Sequence, residues 1–80
     1  MSLPNGKILS ELPSGSRGKV IRIEAKGPLR RRILDMGLVP GVEVSVKGVA
    51  PLGDPMELFV RGYCLSLRKQ EAANILVEVI

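Results

Sequence analysis

The sequence predicts one small, mainly β domain of about five short strands with one or two short helices. Three observations carry that expectation: the length, closely spaced turn signals, and apolar residues that alternate between those signals. A chain of 80 residues buries only about 60% of its unfolded surface, so residues 1–80 hold one core and one domain. Its hydrophobic share of 45% and charged share of 25% suit an ordinary globular fold.

The elements follow in order. Asn5-Gly6 and Pro13-Ser14-Gly15 are turn signals, and Ile8–Leu12 between them has room for one helical turn. Lys19–Ala25 reads as a strand with Ile21, Ile23 and Ala25 on one face, Arg22 and Glu24 on the other, and Val20 breaking the pattern. Gly27-Pro28 opens a helix, because proline in the first turn loses no hydrogen bond. Leu29, Ile33 and Met36 form its apolar stripe, Gly37 supplies the stop, and Arg31 and Asp35 on the opposite face are placed to pair weakly. Leu34 lies about 100° from the stripe on a 3.6-residue period.

Pro40-Gly41 turns the chain into the clearest strand, Val42–Gly48, where Val42, Val44 and Val46 alternate with Glu43, Ser45 and Lys47. Residues 51–55 (Pro-Leu-Gly-Asp-Pro) read as a loop. Met56, Leu58 and Val60 then alternate with Glu57 and Phe59, and Arg61-Gly62 turns into Tyr63, Leu65 and Leu67, a hairpin. Lys69–Asn74 has helix propensity with Ala72 and Ile75 facing inward, and Leu76–Ile80 closes as a strand. Strands this short, one of them an apolar C-terminal strand, are expected to bend into a small SH3-like barrel whose closure hides its edges.

Composition narrows the chemistry. The chain has no histidine and one cysteine, Cys64. That removes Ser-His-Asp and Cys-His catalysis, imidazole metal ligation, internal disulfides and Cys-X-X-Cys knuckles. The net charge of +4 is compatible with an acidic partner, nucleic acid or a lipid surface. Aromatic residues are only Phe59 and Tyr63, too few for a base-stacking platform or a polyproline groove. Met1–Leu12 shows no apolar stretch of the signal-peptide kind, and no apolar run nears the roughly 20 residues of a membrane span, so a cytosolic location is expected.

Several blocks together resemble the ferrous iron transport protein A (FeoA) family. They are Leu9-Ser10-Glu11-Leu12-Pro13, Gly15 and Gly18 ahead of Val20 and Ile23, and the more specific run Leu29-Arg30-Arg31-Arg32-Ile33-Leu34-Asp35-Met36-Gly37-Leu38-Val39-Pro40-Gly41. Residues 50–55, Arg61-Gly62-Tyr63 and Leu65-Ser66-Leu67-Arg68 with Glu71-Ala72 complete the series. The resemblance implies a cytosolic SH3-like barrel that supports ferrous iron uptake by contacting the cytosolic part of a FeoB-type membrane transporter. An alternative is a standalone regulatory domain resembling the C-terminal domain of iron-dependent repressors of the diphtheria toxin repressor type.

On either reading the residues point to contact rather than catalysis, and no enzyme activity, cofactor or specific metal site is expected. The candidate partner-binding residues are Arg30, Arg31, Arg32, Leu34, Leu38, Leu52 and Asp54. The arginines would set orientation and on-rate, and an apolar patch of Leu34, Leu38 and Leu52 would supply affinity. Asp54 is expected mainly to shape its own loop through its N–H groups. Nucleic acid and membrane insertion are not expected, and self-association is left open.

Overall fold

A computed structural model describes residues 6–49 and 54–80. Its elements are β1 (Gly6–Ile8), a 3-10 turn (Leu9–Glu11), β2 (Arg17–Ile23), α1 (Gly27–Asp35), β3 (Glu43–Val49), β4 (Met56–Val60), β5 (Tyr63–Leu67), α2 (Lys69–Ala72) and β6 (Ile75–Val79). The six strands form one antiparallel sheet in the order β1-β6-β2-β3-β4-β5. The mainly β, SH3-like architecture is therefore present, with one strand more than the expected five. The additional strand is β1, whose Gly6 lies opposite Glu78 rather than in a turn. Three residues are too few for an alternating pattern to register in the sequence.

Two irregularities bend the sheet around its core. Opposite β6 the register of β2 shifts between Val20 and Arg22, and opposite β4 the register of β3 shifts between Val46 and Gly48. The first bulge corrects the expected facing of β2. Val20 and Ile23 point into the core and Ile21 is displaced to a half-buried position. An extra residue inverts the alternation, so Val20, out of step with a regular strand, is in step with a bulged one. The remaining alternation holds: Val42, Val44, Val46, Met56, Leu58 and Val60 are all buried.

β6 lies between β1 and β2, so the apolar C-terminal strand is paired on both sides. The ladder does not run full circle, however. β1 and β5 stand at the ends of the strand order, each paired on one side only among the described residues.

α1 carries its stripe as expected, with Ile33 fully buried and Leu29 and Met36 packed partly against the core. Its end is a Schellman stop. Gly37 N–H donates to Leu34 O (2.9 Å), Leu38 N–H donates to Ile33 O (3.4 Å), and Gly37 takes φ +92°. The Tyr63 hydroxyl donates to the Met36 carbonyl and lies over Gly37, where a Cβ would come within 2.6 Å of it. Gly37 is thus fixed twice, by its backbone and by its neighbour.

This predicts that Gly37→Ala destabilises the domain by about 2 kcal/mol, combining left-handed strain with the contact to Tyr63. In a Tyr63→Phe background the contact is gone and the same substitution should cost less. Urea unfolding of the four proteins in this cycle measures the difference.

Candidate functional site

The candidate residues divide according to where α1 and its neighbours put them. Arg30, Arg31 and Leu34 lie on the outward side of α1. With Gly27 and Asp35 they line a shallow open depression of about 390 Å³. The spacing of three and four residues stacks these side chains on one helix face. Arg30 and Arg31 are exposed and Leu34 is half-buried, its inner side packed against the core. An apolar side chain between two guanidinium groups is thereby offered at the surface. The expected Arg31–Asp35 ion pair does not form; among the described residues the pairs are Arg22–Glu24 (2.7 Å) and Arg32–Glu71 (3.2 Å).

Arg32 belongs to a different contact. Its guanidinium reaches back to Oε2 of Glu71, whose Oε1 accepts the backbone N–H of Arg68 at 3.0 Å. Glu71 is only 5% exposed, the one buried charged residue among those described. Its carboxylate therefore needs both partners, and together they hold the start of the short helix α2 against α1. Arg32 remains largely solvated, but it faces away from Arg30 and Arg31 in its bonding.

Leu38 does not join the patch. It is fully buried, because the Schellman stop folds the residue after Gly37 back over Ile33 and into the core. Asp54 makes a longer-range contact than its own loop would need: its Oδ1 accepts the Lys69 N–H at 2.9 Å, tying the entry to β4 to the first turn of α2. Leu52 lies outside the described residues.

On β4, Phe59 alternates with the buried Leu58 and Val60 and is exposed, with Lys47 Nζ 5.4 Å from its ring centroid. Cys64 is exposed and unbonded to another cysteine. Among the described residues no three Cys, Asp or Glu side chains gather closely enough to hold a metal ion, and no helix is long and apolar enough to cross a membrane.

The FeoA domain model matches residues 7–79. This chain belongs to the FeoA family. A curated relative, the Fe(2+) transport protein A/Fe(2+) transporter FeoB fusion protein of Porphyromonas gingivalis, is 44% identical over 72 residues. The match takes in 90% of this chain and only 8% of that protein. Among solved structures, the FeoA-like protein of Clostridium acetobutylicum is 50% identical with a TM-score of 0.90, covering 98% of this chain and 91% of its own. FeoA of Stenotrophomonas maltophilia, solved in complex with zinc and described as an SH3 domain protein, is 31% identical with a TM-score of 0.76, covering 88% and 87%. A likeness of fold alone extends to IdeR of T. acidophilum, 20% identical with a TM-score of 0.86, covering 100% of this chain and 37% of that one.

The Arg32–Glu71 arrangement gives a stability prediction. Glu71→Ala removes acceptors from both Arg32 and the Arg68 N–H and should cost about 2 kcal/mol. Arg32→Ala leaves one bond to Glu71 in place and should cost about 1 kcal/mol. Denaturant midpoints of the two variants measure the order, which a purely surface ion pair would not produce.

Proposed function

We propose that this protein is a non-enzymatic accessory of ferrous iron uptake that binds the cytoplasmic part of a FeoB-type transporter through the outward face of α1. The observation that carries the reading is the Porphyromonas gingivalis relative, in which a segment 44% identical to this chain is joined to FeoB in one polypeptide. Covalent linkage keeps two partners at high effective concentration, an arrangement that is useful when they work in contact. On this reading the protein works in the cytosol, at the inner face of the membrane, held there by its partner. Iron is the transporter's cargo, and the small domain acts on the transporter rather than on the ion.

The α1 face has the properties such a contact needs. Leu34 offers apolar area in the depression beside Arg30 and Arg31. Burial of that side chain supplies affinity, while the two exposed guanidinium groups steer an acidic surface and set its register. Arg32, engaged by Glu71, positions the helix and is not assigned to the interface.

Capture of the purified cytoplasmic part of a FeoB-type transporter on immobilised protein tests both statements. The wild type should bind, and the Arg30→Glu/Arg31→Glu variant should bind at least tenfold more weakly with an unchanged melting temperature. Leu34→Asp should weaken capture further, with a modest loss of stability because its inner side packs on the core. No capture by the wild type would overturn the transporter contact. Wild-type capture undiminished in both variants would overturn the α1 face alone.

A further inference from the structure

Among the described residues β5 ends the sheet, and its outer edge has the form of an acceptor for another strand. It pairs with β4 through every one of its residues, from Val60↔Tyr63 to Met56↔Leu67, without a register shift. The connecting Arg61 and Gly62 have φ +50° and +88°. Two successive positive φ values in a two-residue loop mark a type I′ turn. The residues flanking such a turn exchange both hydrogen bonds, and the bonding direction alternates from there. Tyr63, Leu65 and Leu67 therefore turn their backbone groups to β4, while Cys64 and Ser66 turn theirs outward. Both residues are exposed, and neither makes a backbone hydrogen bond to a described turn or loop.

Open edges are ordinarily blunted by shortness, lysine, proline or a bulge. β1 at the other edge is three residues long and carries Lys7. β5 reads Tyr-Cys-Leu-Ser-Leu, with no charge, no proline and no bulge. Charge stands just beyond its ends instead: Arg61 at one, Arg68 and Lys69 at the other. All three are exposed, and none is in an ion pair among the described residues. At about 3.3 Å per residue the two cationic ends lie roughly 20 Å apart, the length of a short strand.

We propose that β5 accepts an extended segment of a partner protein as a seventh strand, and that this segment has an uncharged core of about five residues flanked by Asp or Glu. Backbone bonds at Cys64 and Ser66 supply the pairing, and the cationic ends select the flanks. A second copy of this chain fits less well. In the antiparallel two-fold register centred on Leu65, Cys64 would bond to Ser66 of the other copy. Arg61 would then face Lys69, and each chain already carries +4. The outward edge at Cys64 and Ser66 is distinct from the Arg30, Arg31 and Leu34 face of α1, and the proposal does not depend on the transporter contact proposed above.

The test is an amide NMR titration of the whole chain with a synthetic peptide, Glu-Glu-Thr-Val-Thr-Val-Thr-Glu-Glu. The Cys64 and Ser66 amides should shift progressively and exchange with solvent more slowly. Replacing the flanking glutamates by lysines should weaken binding at least tenfold, as should Arg61→Glu/Arg68→Glu in the protein, and added salt should weaken it too. N-methylation of alternate core amides should abolish binding, a control that leaves the protein unaltered. Ser66→Pro removes one outward N–H without touching the β4 ladder and should have the same effect. The proposal is overturned by no shift at millimolar peptide, by shifts confined to α1, or by equal binding of the lysine-flanked peptide. Concentration-dependent broadening of the β5 amides without peptide would overturn it in favour of a second copy.

Discussion

The reversal of the chain at Gly37 governs how much of the molecule is arranged. Only a residue at ease with φ +92° lets the helix end there, and the hydrogen bonds from Gly37 and Leu38 back into α1 then fix where the following chain goes. Leu38 is carried into the core and the chain is aimed at β3. The Tyr63 hydroxyl, bonded to the Met36 carbonyl, fastens the β4–β5 hairpin to the same point. One compact corner therefore sets both the tilt of α1, hence which of its residues stay exposed, and the position of the hairpin at the end of the strand order.

A second small device ties the last turn of that helix to α2. Glu71 of α2 is nearly buried, with each carboxylate oxygen occupied, and Asp54 accepts the N–H of Lys69, the next residue after Arg68. α2 spans only Lys69–Ala72, too short to persist by its own propensity. Its stability is tertiary. The arginine run is split in consequence: Arg32 is spent on structure while Arg30 and Arg31 stay with Leu34 at the surface.

Where the sequence was readable, a single periodicity governed the segment. Val42, Val44 and Val46, then Met56, Leu58 and Val60, face inward as their alternation demands, and Ile33 anchors α1 as its spacing demands. The failures arose where local pattern and tertiary geometry part. A bulge inverted the facing of β2, and nothing in Val20-Ile21-Arg22 distinguishes an inserted residue from an irregular strand. β1 is held by its pairing with β6 rather than by any pattern of its own. Leu38 went to the core rather than to the apolar patch with Leu34, a route the Gly37 signal contained. The Arg32–Glu71 contact joins residues on two helices and left no local trace. At the candidate site, then, the helix face and Leu34 were legible, but the division of labour among the three arginines was not.

The place of β6 in the strand order has a kinetic meaning. Its two neighbours, β1 and β2, belong to the first part of the chain, and Gly6 finds its register opposite Glu78. No stretch of neighbouring residues can assemble this half of the sheet alone. The contacts that reward folding arrive only after a long loop has been closed, and the entropy of that closure falls on the transition state. The hairpin of β4 and β5, by contrast, needs only its own two-residue turn. A chain organised this way is expected to collapse first around its hairpin and to become a single cooperative unit when residues 75–79 slot between the two early strands.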